Sequence, residues 1–216
     1  MGRIGDAAHR SGREPEAIRL VGVSKTVGVE RLAAAVAAGL TTLGENRVQE
    51  ASPKVAAFPD AEWHLVGQLQ GNKAGRAIEL FSLIQSVDSM SLAERLSRIA
   101  DTRHVRILLQ VNIDADPAKA GFSATDLDAH LGRLLELPGL RVDGLMTVGR
   151  LVERPEDARS TFVALRRLSE SLQARHGALG GALSMGMSDD FEVAVEEGAT
   201  IVRGGRALFG DRPTIA

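Results

Sequence analysis

Lysine is scarce in this chain, and that makes each one informative. Of 26 lysine and arginine residues only four are lysines: Lys25, Lys54, Lys73 and Lys119. Where positive charge alone is wanted, the sequence uses arginine. A lysine can do what a guanidinium cannot, which is lose its proton and attack a carbonyl. Lys25 ends the run Ile18-Arg-Leu-Val-Gly-Val-Ser-Lys25, whose apolar, β-branched character reads as a buried strand delivering one amine to its carboxyl end. The ordinary alternative is a solvated strand-end charge.

A second candidate is Ser184-Met-Gly-Met-Ser-Asp-Asp190. Ser188 or Asp189 can cap a helix beginning there. The same amides and the Ser188 hydroxyl can instead bind a phosphate. Val202-Arg-Gly-Gly205 adds an arginine and glycines that let a ligand approach the backbone. Gly67-Gln-Leu-Gln-Gly-Asn-Lys73 fails as a phosphate loop, because its glycine spacing is one residue short and no Ser or Thr follows Lys73. The five histidines form no ligand-spaced pair and there is no cysteine, so no metal site is expected and thiolate chemistry is excluded. His64, beside Trp63, reads equally as a packed core group or as part of a ligand wall.

Composition narrows the class. The 216 residues are 44% hydrophobic and 25% charged, with a formal net charge of -2, which is ordinary for a globular protein and leaves no basic footprint for nucleic acid. No apolar run reaches membrane-spanning length, and Met1-Gly-Arg-Ile-Gly-Asp6 lacks a hydrophobic signal core. A soluble cytoplasmic protein is the expectation.

The elements that must position these groups alternate. Strands are expected at 18–25, 41–46, 62–67, 83–88, 106–113, 142–148, 182–186 and 200–203. Each is followed by a helix or a turn. A short helix, weakened by Gly5 and Gly12, is expected between Arg3 and Arg13. Such alternation forces parallel pairing with right-handed crossovers. Nothing marks a reversal of winding, so a closed single-domain (β/α)8 TIM barrel spanning 1–216 is preferred over an open sheet. In a barrel the carboxyl ends of the strands share one mouth. Lys25, Glu45 and Asn46, His64, Asn112, Met146 and Thr147, Ser184 to Ser188, and Arg203 would converge there. A reactive lysine beside a phosphate site suits a phosphorylated aldehyde or ketone, as handled by Schiff-base aldolases and by pyridoxal phosphate proteins.

Several segments, taken together and in order, resemble the pyridoxal phosphate homeostasis protein family. They are Val21-Gly-Val-Ser-Lys25, Gly44-Glu-Asn-Arg-Val-Gln-Glu50, Trp63-His-Leu-Val-Gly-Gln-Leu-Gln70 with Asn72-Lys73, Val111-Asn-Ile113 with Lys119 and Gly121, Gly144-Leu-Met146, Ser184 to Asp190, and Val202-Arg203 with Phe209-Gly210. The match runs from about Arg19 to Arg212. The resemblance implies a barrel similar to that of alanine racemase, with Lys25 forming the internal aldimine with pyridoxal 5′-phosphate. It implies further that Ser188 and the backbone at Gly205 hold the phosphate, that Arg203 faces the pyridine nitrogen, and that Asn46, His64 and Met146 line the ring pocket. An arginine there makes the ring a poor electron sink, which suits a holder of the cofactor better than a catalyst. The expected function is therefore cofactor homeostasis by a monomer without turnover, with pyridoxal-phosphate-dependent apoenzymes as possible recipients. A racemase-like enzyme and a cofactor-free aldolase are the alternatives. Two departures from the family pattern are a short segment before the first strand and Gly204 in place of an apolar β-branched residue.

Overall fold

Buried strands that alternate with amphipathic helices have one compact solution when the winding never reverses, and the chain adopts it. In a computed structural model, described here for residues 2–210 apart from 102 and 151, eight parallel strands close into a barrel in sequence order. They are β1 (Arg19–Val23), β2 (Thr42–Glu45), β3 (Glu62–Leu65), β4 (Leu83–Val87), β5 (Val105–Gln110), β6 (Leu140–Met146), β7 (Ala182–Ser184) and β8 (Ile201–Gly204). Pairing of β1 with β8, from Arg19 opposite Ile201 to Gly22 opposite Gly204, shuts the ring.

The intervening helices are α2 (Val29–Ala37), α3 (Val48–Ala57), α4 (Ala74–Leu80), α5 (Met90–Ala100), α6 (Ala124–Leu135), α7 (Arg159–Arg175), α8 (Phe191–Glu196) and α9 (Arg206–Phe209). Ser89 and Ser123 cap α5 and α6 by accepting the amides of Leu92 and Asp126, which satisfies first-turn donors that have no partner within a helix. A large apolar core lies between sheet and helices. Inside the barrel a smaller cluster unites Val21, Leu83, Leu108, Met146 and Ile201 from five strands.

The short N-terminal segment does form a helix, α1 (Gly2–Arg10), and Gly5 does not break it. Docking outweighs the weak propensity. Arg3 pairs with Glu192 at 2.9 Å and stacks over the Phe191 ring, while Arg10 pairs with Glu196 at 2.8 Å. A Cβ at Gly204 would meet Leu208 Cδ1 at 3.3 Å and Leu20 Cδ1 at 3.4 Å, and beside it a pocket opens between Leu20, Phe191, Gly204 and Leu208. Arg212, the far end of the family resemblance, lies outside the described residues.

The fifth strand ends three residues earlier than its apolar pattern predicts. Asn112 turns the chain away from the sheet. Its side-chain amide donates to Asp116 O at 2.8 Å and its Oδ1 accepts the Asp116 amide at 3.1 Å, and such local bonds compete with a sheet ladder.

Candidate functional site at the barrel mouth

Lys25 stands two residues past the end of β1, half-buried in a turn. The turn is held from below. Ser24 is fully buried, and its hydroxyl donates to Glu45 Oε1 at 2.6 Å. Lys54, on α3, donates to the same Oε1 and to the Ser24 carbonyl, each at 2.6 Å. Immediately after Lys25, Thr26 has φ of 63°, a left-handed conformation that is an outlier for a β-branched residue. Its Oγ1 donates to the Lys25 carbonyl at 2.6 Å. Strain of this kind costs on the order of 1–3 kcal/mol and persists only where the surroundings over-determine it. The Lys54–Glu45–Ser24 cluster is such a surrounding.

Asn46 follows β2 directly and is half-buried. A Cβ at Gly67 would sit 2.4 Å from the Asn46 carbonyl, so only glycine allows the β2 and β3 loops to approach so closely. His64 is fully buried on β3, with Nε2 3.1 Å from Glu62 Oε1 and Nδ1 2.8 Å from Gln85 Nε2. Both ring nitrogens are therefore engaged by protein. Burial lowers the His64 pKa below its ordinary value of 6.5. Glu62, bonded to His64 and flanked by Arg19 and Arg106, is pulled down to about 2. Met146 is fully buried and packs in the interior cluster.

The β7 and β8 loops differ from the expected helix cap. Helix α8 starts at Phe191, and Asp190 Oδ1 accepts the Met187 amide at 2.6 Å. Ser188 caps nothing on its own loop. It reaches across to the turn after β8, where its oxygen accepts the amides of Gly205 at 3.1 Å and Ala207 at 3.2 Å. Asp189 pairs with Arg206 across the same gap. The two loops singled out by their residues are thus joined through the Ser188 hydroxyl.

Arg203 is 5% exposed. Its Nη1 donates to Ser184 Oγ at 2.6 Å and its Nη2 to the Thr147 carbonyl at 2.7 Å. Burial lowers its pKa to about 10, against the opposing charge of Asp190, so it stays cationic at neutral pH.

The donor set fits a phosphorylated aldehyde or ketone. With its oxygen already accepting two amides, the Ser188 hydroxyl keeps its own proton to donate. Among the described residues the amides of Ser188, Asp189 and Arg206 have no protein acceptor. Arg203 commits two of five N–H groups to protein. Lys25 contributes an amine on the same rim. Lys54, Glu62 and Gln85 were not singled out from the sequence. The scarcity of lysine was a usable signal for Lys54, whereas nothing local marks Glu62 or Gln85.

Known proteins match this chain along its length. The alanine racemase N-terminal domain model matches residues 8–213. A pyridoxal phosphate homeostasis protein of Aquifex aeolicus is 42% identical over 97% of this chain and 94% of its own. The Escherichia coli K12 protein of that name is 38% identical over 97% and 92%. Among solved structures, PipY of Synechococcus elongatus with PLP bound superposes with a TM-score of 0.85 at 41% identity, covering 96% of this chain and all of that one. Alanine racemase from Corynebacterium glutamicum, at 20% identity and a TM-score of 0.75, shares the fold over 61% of its length. By descent and by architecture, this chain belongs to the alanine racemase N-terminal domain family and, within it, to the pyridoxal phosphate homeostasis proteins.

Proposed function

We propose that the protein holds pyridoxal 5′-phosphate at the barrel mouth and acts in intracellular vitamin B6 homeostasis, with Lys25 as the covalent anchor. What supports the reading is that Lys25 follows β1, while the Ser188–Gly205 bridge and the buried Arg203 lie at the carboxyl ends of β7 and β8, the next strands round the ring. The bound structure of PipY supports the choice of ligand. When bound, the cofactor supplies an aldehyde that condenses with amines.

The chain's own residues divide the work. The Lys54–Glu45–Ser24 cluster fixes the turn that carries Lys25. Ser188 donates its hydroxyl proton to the phosphate, with neighbouring amides, and the backbone at Gly205 lies alongside. Arg203 keeps a permanent positive charge against the ring nitrogen, which opposes protonation there. Asn46, His64 and Met146 belong to the surroundings of the ring, His64 by its carbon edge since both nitrogens are engaged. A monomer in the cytoplasm, passing the cofactor to apoenzymes, is part of the same reading. No helix among the described residues is long and apolar enough to cross a membrane.

Borohydride reduction of the protein with pyridoxal phosphate, followed by peptide mapping, tests the assignment. The pyridoxyl group is expected on Lys25, and Lys25→Ala should abolish it while the protein still unfolds cooperatively. Label confined to Lys54, Lys73 or Lys119 would falsify the anchor. Turnover is not expected, because racemisation needs proton-handling groups on both faces of the substrate and the chain contains no tyrosine. D-alanine formed from L-alanine at about 1 s⁻¹ or faster, the low end of enzyme rates, would favour the racemase alternative.

A further inference from the structure

The interior of the barrel is not wholly apolar. A file of hydrogen bonds crosses it from Arg203 at the mouth to the opposite rim. Arg203 Nη1 donates to Ser184 Oγ at 2.6 Å, and Ser184 Oγ donates to Gln85 Oε1 at 2.6 Å. Gln85 Nε2 lies 2.8 Å from His64 Nδ1, and His64 Nε2 lies 3.1 Å from Glu62 Oε1. Ser184 is on β7 and Gln85 on β4, so one of these bonds spans strands that are not neighbours in the ring. Ser184, Gln85 and His64 are all fully buried. Glu62, the last member, joins a cluster of charges at the amino-terminal rim. Arg19 Nη1 is 2.7 Å from its Oε1 and Arg106 Nη1 3.5 Å, and Asp143 ties Arg106 to Arg141.

Heavy-atom positions do not by themselves say which way amide, hydroxyl and imidazole protons point. Here the two charged ends decide. A carboxylate only accepts, so Glu62 requires a proton on His64 Nε2. The neutral ring then has a bare Nδ1, which requires the NH₂ of Gln85 to face it. That leaves Gln85 Oε1 towards Ser184, whose hydroxyl must donate to it. Ser184 is left with lone pairs for the one partner that can only donate, Arg203. Every bond therefore runs in one direction, from cation to anion. Chains polarised this way reinforce one another in a low-dielectric interior.

We propose that Glu62 is a remote positioning residue for Arg203, acting through the directed chain His64–Gln85–Ser184 across the barrel interior. Its relevance to pyridoxal phosphate rests on the functional reading above, in which Arg203 meets the ring. Losing the carboxylate lets the chain run either way. In the reversed state Gln85 turns its NH₂ to Ser184, whose oxygen then accepts from both neighbours while its hydroxyl proton loses its acceptor, so the serine and the guanidinium it holds must shift.

The test compares Glu62→Gln with Arg141→Gln, which disturbs the rim cluster through Asp143 and leaves Glu62 in place. In ligand-free protein carrying 15N on arginine and histidine side chains, Glu62→Gln should shift the Arg203 guanidinium signals and bring out His64 protonated on Nδ1. Arg141→Gln should leave both as in the wild type. Gln85→Met, which cuts the chain without touching either charged end, should shift Arg203 likewise and decides the matter should Glu62→Gln fail to fold. With cofactor added, Glu62→Gln should weaken binding at least about fivefold and move the absorption maximum. Unchanged Arg203 signals in a folded chain-breaking variant, or equal changes in Arg141→Gln, overturn the proposal. A wild-type protein that takes up no pyridoxal phosphate defeats the functional reading instead, and the ligand-free signals still decide the chain.

Discussion

The ammonium of Lys54 lies 2.6 Å from Oε1 of Glu45, and that carboxylate is wholly buried. The pair does more than neutralise itself. Lys54 also holds the Ser24 carbonyl, one residue before Lys25, and Glu45 Oε2 has no hydrogen-bond partner among the described residues. Removing one member of a buried ion pair leaves the other uncompensated, at a cost of about 3–5 kcal/mol. Lys54→Met should therefore lower unfolding free energy by roughly that amount. The double variant Lys54→Met/Glu45→Gln should recover most of the loss. Denaturant titration of the three proteins checks this, and a single-variant loss below about 1 kcal/mol would mean the pair is solvated in solution.

A second expectation concerns the phosphate. Charge-assisted hydrogen bonds contribute about 1.5–3 kcal/mol each. Pyridoxal lacking the phosphate should therefore bind at least about tenfold more weakly than pyridoxal phosphate. Ser188→Ala should narrow the difference between the two aldehydes. Spectroscopic titration with each provides the comparison, and equal affinities in the wild type would show that Ser188 only braces the two loops.

The third expectation is a pH dependence of stability. The folded-state pKa of His64 lies below 6.5 because burial disfavours its charged form. Below 6.5 the unfolded chain binds a proton that the folded chain refuses, so stability falls as pH falls through this window. One such group contributes a slope of at most about 1.4 kcal/mol per pH unit. Glu62 works in a lower window with the usual carboxylate sign. Its folded pKa is about 2 against an ordinary 4.5, so its contribution is complete above 4.5 and lost between those values. Denaturation midpoints measured on stepping down from neutral pH should fall for the wild type and stay flatter for His64→Gln. Parallel profiles would show that His64 is protonated in the folded state.

How much of this was legible in the sequence depended on range. Strand and helix identities were readable because burial on both faces leaves continuous apolar runs, as at Ile107–Leu109, and because periodic helices follow each one. The strand boundary at β5 was not, since Asn112 ends it through its own side chain. Convergence of Lys25, Ser188 and Arg203 followed once the ring closed, being a property of topology. The role of Ser188 was half legible: a hydroxyl near free amides was evident, but the amides it accepts belong to the turn after β8, seventeen and nineteen residues away. The interior chain was beyond reach. Gln85 sits in Leu83-Ile-Gln-Ser-Val87 with no local mark, and its partners lie on β3 and β7.

Closure of the ring by β1 against β8 has a consequence for biogenesis. The Arg19 amide donates to Thr200 O at 2.8 Å, so the first strand waits for the last before its edge is paired. Lys25 emerges from the ribosome long before Ser188, Arg203 and Gly205. Contacts so distant in sequence form late and slow folding. A nascent chain, or one cut short before β8, carries the lysine without the phosphate cradle. On the proposed assignment, retention of the cofactor thus requires that β8 and the turn after it have been made and paired.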